Sequence, residues 1–355
     1  MAVRHRVSAR VMRTLARSNR LSVNDADRLR AMAAERSRSA LTQAAHSAKL
    51  SAALSSAGVR HLVLKGPVLA ERLYGDIAAR DCKDIDLFVD PAARLQALRV
   101  IANYGYRASD ADMLPAGADD WRHRVAPKDM SFRHSLSRVE VELHSRLFDV
   151  EQLLPRSFET LWHARETVSL AGVSIPVLSV IDEFLYLCGH GALHAWFRLK
   201  WIQDIARMLT VASSTTIGDI ARAADAMGVR PMVTSAVILA ETLLDVCAPA
   251  ALAGPSSRAT RAVTLQSIRA LSAPAEASNA PSIAAIARMS LLQLGLRNDW
   301  RYRWSVISRL LVSQNDLTTV NLPLGARWAY YPLRPLLVMI RRWRRWRQLP
   351  RRQQQ

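Results

Sequence analysis

Two apolar runs, each meeting a charged turn, constrain this chain more than any other feature. Leu62-Val63-Leu64 ends at Lys65-Gly66-Pro67. Further on, Asp84-Ile85-Asp86 opens the buried-type run Leu87-Phe88-Val89. Successive side chains of a strand point to opposite faces. Asp84 and Asp86 therefore share a face, with Ile85 directed into a core. Gly66 closes the first strand and precedes a predicted helix from Pro67 to Tyr74. Proline suits the first helical position, and glycine lets backbone N–H groups approach a ligand closely.

Two carboxylates on one face at a strand edge can share one or two Mg²⁺ ions, with Mn²⁺ an alternative. Mg²⁺ takes hard oxygen ligands and is commonly held by one or two carboxylates plus substrate phosphates. A third carboxylate is expected nearby. Arg138-Val139-Glu140-Val141-Glu142-Leu143-His144 alternates strictly, placing Glu140, Glu142 and His144 opposite Val139, Val141 and Leu143. This is the pattern of a half-buried strand. Glu142 is preferred over Glu140 because Val141 and Leu143 flank it as in a central strand; His144 reads as structural. Lys65 supplies a point charge for a triphosphate, and Arg80 can do the same or serve as a salt-bridging residue.

The residues Leu64-Lys65-Gly66, Leu73-Tyr74-Gly75-Asp76, Arg80, Asp84-Ile85-Asp86-Leu87 and Glu142-Leu143-His144 resemble the uncharacterised bacterial nucleotidyltransferase family, within the DNA polymerase beta-type nucleotidyltransferase superfamily. The resemblance covers about residues 60–145. It implies Asp84 and Asp86 as metal ligands and Glu142 as the third carboxylate. Where that superfamily has Gly-Gly or Gly-Ser, this sequence has Lys65-Gly66 or Gly66-Pro67. Similar families also carry a Lys and an Asp facing the nucleotide from a second-domain helix, which points to Lys200 and Asp204. The residues alone equally allow an i, i+4 surface pair there. His190 and His194 also share an i, i+4 face, but position 191 is Gly, so a His-Glu-x-x-His protease site is excluded. Both histidines read as core residues. The stretch from Leu187 to Arg207 reads as two helices or one bent helix.

The implied fold class is α+β: a small mixed-sheet nucleotidyltransferase core flanked by helices, followed by a mostly α-helical domain. The predicted divisions are a basic arm (1–20), an N-terminal helical segment with Ser22 or Asn24 as cap (21–57), the core (58–150), the helical domain (151–325) and a basic Arg/Trp tail (326–355). Residues 110–119 read as a loop. The net charge of +19 is concentrated at the ends: residues 1–20 hold six Arg and residues 327–355 nine, with no acid in either, leaving +4 for the rest. Arginines interleaved with Trp343 and Trp346 suit an anionic membrane or a nucleic acid, with 327–352 as the contact, or form a solvated tail. Cys82, Cys188 and Cys247 make neither a zinc pattern nor a disulfide framework. With no signal peptide and no membrane-spanning run, the expected location is the cytoplasm, or the periphery of the inner membrane surface.

The expected activity is Mg²⁺-dependent transfer of a nucleoside monophosphate from an NTP such as ATP to an acceptor: tRNA, protein, peptide, antibiotic or saccharide precursor. Replacing Asp84 and Asp86 together by Asn is expected to abolish transfer with thermal stability near wild type. The alternatives are a glycosyltransferase and a degenerate adaptor of the same fold that binds nucleic acid or anionic membrane through its basic ends.

Overall fold

The computed structural model describes residues 2–16, 22–108, 128–254, 257–273 and 283–311, with short pieces between 320 and 340. The predicted loop at 110–119 and residues 341–355 of the Arg/Trp tail lie outside the described residues.

The architecture is α+β, with a mixed sheet followed by a helical region. Five strands form the sheet: β1 (His61–Val63), β2 (Asp84–Val89), β3 (Tyr106–Ala108), β4 (Asp129–His134) and β5 (Glu140–His144), ordered β1-β2-β5-β4-β3. Only β2 and β5 run parallel, in a register that sets Asp84 beside Glu140 and Asp86 beside Glu142. The other pairings are antiparallel. Ile85, Leu87, Val141 and Leu143 point to one face and are fully or almost fully buried. That apolar face packs against Val63, Val68, Ala97 and Ile101 and against Leu50 and Leu54 of the long helix α3 (Val23–Ser56). The opposite face carries the acids.

The first helices are α1 (Ala2–His5) and α2 (Ser8–Ala16). The N-terminal residues expected as a basic arm thus form helices here, anchored by buried His5, Val7, Ser8 and Met12. The helix α3 starts at Ser22, whose hydroxyl accepts from the Asp25 N–H at 3.1 Å, as an N-cap should. The helix α4 (Pro67–Tyr74) begins after Gly66 with proline in its first turn. Then come α5 (Arg94–Asn103) and α6 (Phe158–His163).

A hairpin of β6 (Glu166–Leu170) and β7 (Val173–Val177) follows. Its connector, Ala171-Gly172, has positive φ at both residues, the geometry of a two-residue hairpin turn. This hairpin lies in a stretch expected to be mostly helical; its strands are short, and Pro176 weakens their sequence signal.

The helical region comprises α7 (Val180–Leu193), α8 (Leu199–Val211), α9 (Ser214–Ala226), α10 (Arg230–Leu244), α11 (Arg258–Ser272), α12 (Ile283–Leu294) and α13 (Trp300–Leu311). Its core is continuous with Leu62, Leu64, Leu69 and Phe88 of the sheet layer, so this region packs directly on the acid-bearing side. All three cysteines are free. Among the described residues no helix is long and apolar enough to cross a membrane.

Candidate active site

The parallel β2–β5 pair builds the site. Side chains in register on adjacent strands point the same way, so Asp84, Asp86, Glu140, Glu142 and His144 share the polar face. Asp129 of β4 joins them opposite His144. Glu140 is then removed from contention, because Lys83 holds it at 2.7 Å and Arg133 pairs with it from β4. Glu142 is held by neither cation and lines the cavity.

One oxygen or nitrogen from each of Asp86, Glu142 and His144 lies within 4.8 Å of the others. Asp86 is buried. Its Oδ1 accepts from Lys65 Nζ at 3.0 Å and lies 3.1 Å from His144 Nε2, while its Oδ2 is buried without a partner. Lys128 Nζ sits 3.4 Å from His144 Nδ1. An ammonium can only donate, so Nδ1 accepts and Nε2 carries the proton that bonds Asp86. Burial and the Lys128 charge keep this imidazole neutral by lowering its pKa. His144, read as structural, therefore orients Asp86 from within the cluster. Burial pushes Glu142 up to about 7, with Asp86, Asp84 and Asp129 adding to the rise. An orphaned carboxylate oxygen beside a strained second carboxylate fits a hard cation; Asp86 and Glu142 offer the oxygens, with Asp84 on the same face.

The cluster opens into a cavity of about 310 Å³ lined by six basic side chains (Arg6, Lys65, Arg80, Lys128, Arg198, Lys200) and four acids (Asp84, Asp86, Asp129, Glu142). Gly66 lines it too. Its φ of +80° belongs to the left-handed half of the map, and a Cβ there would stand 3.3 Å from the Asp84 carbonyl oxygen. Glycine is needed for the close approach of this turn to β2.

His190 and His194 were expected in the core, but they open into the cavity beside Phe197 and Trp201. Their rings meet edge to face at 4.8 Å. Burial and neighbouring lysines lower both, His190 far below the usual imidazole value, while His194 keeps an exposed edge at the cavity. Lys200 and Asp204 of α8 are buried, so the surface-pair reading fails. Lys200 Nζ donates to the Asp81 carbonyl at 3.1 Å and faces the cavity; burial and Arg80 push it down to about 7. Asp204 does not line the cavity. Its carboxylate accepts from Arg80 Nε at 2.9 Å and from the Tyr74 hydroxyl at 3.0 Å, and so aims Arg80. Five of the eight expected site residues surround the acidic cluster directly or through Lys65: Asp84, Asp86, Glu142, Lys65 and Gly66. Arg80 and Lys200 line the same cavity. Lys128, Asp129, Arg6, Arg198 and the aromatic pair were not anticipated as site residues. Lys128 and Asp129 open the alternating segment Met130-Ser131-Phe132, a signal that could have placed them at a strand edge.

A family profile described as uncharacterised nucleotidyltransferase matches residues 1–245 of the 355. The chain belongs to this nucleotidyltransferase family. The match runs from the N-terminal helices through α10, so the acidic cluster and the basic wall both lie inside the family's domain. No curated protein matches the sequence. Among solved structures, an antigenic nucleotidyltransferase-like protein from Paracoccidioides brasiliensis is similar at 17% identity, over 56% of this chain and 90% of that one, with a TM-score of 0.31. Membership rests on the family match and not on that slight structural likeness.

Proposed function

We propose that this nucleotidyltransferase-family protein moves a nucleoside monophosphate from an NTP to an acceptor group. The observation that carries this reading is the juxtaposition of Asp86, with its buried unpartnered oxygen, and Glu142, at the mouth of a cation-walled cavity. Asp86 and Glu142, helped by Asp84, would hold Mg²⁺, or Mn²⁺ in its place. A divalent ion there supplies charge neutralisation for a phosphoryl group in transit.

The chain's own residues supply the rest. Gly66 lets the turn backbone approach a phosphate, and Arg80, pre-aimed by Asp204, and Lys200 offer donors to phosphate oxygens. Lys65 compensates Asp86 before nucleotide arrives, and Glu142 is placed to take the proton of an attacking hydroxyl. Catalysis of this kind is mostly positioning and preorganised charge.

The test is equilibrium binding of the four NTPs, with and without Mg²⁺, to the wild type and to Asp84→Asn. Metal-dependent binding of an NTP, weakened at least tenfold in the variant, is the expected result. Asp84→Asn is the cleaner probe because Asp86 is buried against Lys65 and His144. Asp86→Asn would leave Lys65 facing a neutral group, and its stability should fall by about 3 kcal/mol. For the same reason the double variant, read from the sequence as near wild type in stability, should melt below it.

One observation favours a second reading. Lys65 lies against the very carboxylate a metal would use, which is how a degenerate, metal-free relative could be neutralised. Absence of NTP binding with any divalent ion would select that adaptor reading.

A further inference from the structure

The basic wall of the cavity is more than a background charge. Among the described residues Lys65 pairs with Asp86, Lys128 with Asp129 and Arg80 with Asp204, but neither Arg6 nor Arg198 makes an ion pair with a carboxylate. Arg198 rests over the rings of Phe197 and Trp201 at 4.8 and 5.6 Å. Burial and the nearby Arg6 charge push it down to about 10. Asp84 acts on Arg198 through space but makes no ion pair with it, so the donors of these two arginines stay open to an anion.

Three independent features converge there. Arg198 is the N-cap of α8, a 13-residue helix with no side-chain cap, and Arg198, Lys200 and Trp201 of its first turn line the cavity. An uncapped helix N-terminus favours anions. Arg80 is almost fully buried, and its Nη2 has no hydrogen-bond partner although the residue lines the same cavity. Arg6 arrives from the far end of the chain, at the joint between α1 and α2, with a φ of +52° that only a packed context sustains in a non-glycine residue. The joint is pinned on both sides. Val7 and Ser8 are buried after it, and Arg4 Nη2 donates to the Ala270 carbonyl at 2.8 Å before it.

We propose that Arg6 and Arg198, with Arg80, Lys200 and the α8 N-terminus, form a polyphosphate subsite that takes the terminal phosphates of the NTP, so that the two N-terminal helices are a working wall of the active site. This rests on the transfer reading for its natural ligand, though the subsite is testable without it. The acidic cluster then faces the phosphate that is transferred, and the leaving pyrophosphate lies against the arginines. Lys65, paired to Asp86, is left to serve the acidic side.

The experiment measures binding of inorganic tripolyphosphate to the full chain in EDTA, by calorimetry, at several salt concentrations. Tripolyphosphate should bind without metal, with affinity falling as salt rises. Arg198→Ala and Arg6→Ala should each weaken it about tenfold, and Arg6→Lys by less. Because Arg6→Ala could release the N-terminal helices, its melting temperature is read alongside, and Arg198→Ala, far from that joint in the chain, tests the subsite independently. Unchanged tripolyphosphate affinity in both Arg→Ala variants would overturn the subsite, as would no binding by the wild type. Parallel titration with an NTP and Mg²⁺ separates the two ideas. Metal-dependent NTP binding that ignores Arg6 and Arg198 keeps the transfer reading and removes the subsite. Arginine-dependent tripolyphosphate binding without any NTP response to metal keeps the subsite and removes the transfer reading.

Discussion

Gly66 carries two demands at once. Its backbone sits at a φ of +80° and ψ of −151°, and its missing Cβ leaves room for the Asp84 carbonyl. The turn and the acid-bearing strand are therefore one unit. Gly66→Ala should cost about 2 kcal/mol of stability through strain alone. It should also push the start of β2 outward and weaken metal-dependent NTP binding further than the wild type is weakened by an equal loss of stability. Urea unfolding together with nucleotide titration checks both halves. A variant that unfolds like wild type would mean the turn relaxes freely. Asp84, Asp86 and this glycine were legible from the sequence because each follows from alternation or turn chemistry within a few residues. The pairing of Lys65 with Asp86, or the tautomer that Lys128 imposes on His144, was not, because each joins residues on different elements.

The connection between α7 and α8 decides the shape of the pocket at the scale of elements. Two consecutive non-glycine residues, Ala195 and Trp196, take positive φ there and fold the buried Trp196 ring back against Gly191. A Cβ at Gly191 would lie 2.4 Å from that ring, and one at Gly189 would lie 2.7 Å from Phe148. The Gly189-His190-Gly191 step thus lets two large rings close on α7 while His190 stays at the cavity. Gly191→Ala should destabilise the protein by about 3 kcal/mol. Gly218→Ala in α9, where the nearest atom is the Arg222 side chain at 3.6 Å, should instead stabilise it by about 0.5–1 kcal/mol. Thermal melting of the two variants side by side reads the difference, and equal shifts would refute the packing argument. The break into two helices was one of two readings of this stretch, the other being a single bent helix. The direction in which it turns the histidines was in neither, since helical spacing records which residues share a face but not what lies opposite.

For the whole molecule, the sheet and the helical region are stitched together by buried charges. Arg72 of α4 donates to the Leu178 carbonyl at 2.7 Å and to Glu166 at 2.6 Å, and lies 3.3 Å from Glu183 of α7. Burial pushes Glu183 up to about 7 from an ordinary 4.5 despite Arg72, with Glu166 and Asp204 adding to the rise. A carboxyl with a raised folded pKa stabilises fully below its unfolded value and loses that contribution as pH climbs through the folded one. Wild-type stability should therefore fall between about pH 4.5 and 7 on account of this group. Glu183→Gln should flatten that slope, gaining on the order of 2 kcal/mol relative to wild type on going from pH 5 to pH 8. Urea unfolding at the two pH values is the check, and parallel pH profiles would exclude the assignment. The end charges belong to this scale as well. Composition reads residues 1–20 as a basic arm; in the structure two helices form there and Arg6 lines the cavity.

By itself the sequence determined the α+β class, the strands that bear the acids and the glycine turn ahead of them, and it narrowed the cap to Ser22 or Asn24, of which the structure uses Ser22. Each is written in periodicity or turn chemistry over a few neighbouring residues, where local sterics and burial suffice. The tertiary structure decided which acids meet: Glu142 reaches the cluster while Lys83 and Arg133 hold Glu140 away. It also turned Asp204 onto Arg80 and brought Arg6 to the cavity across nearly two hundred residues from Arg198. Those outcomes depend on charges that become neighbours only when separate elements pack, and no local pattern encodes that.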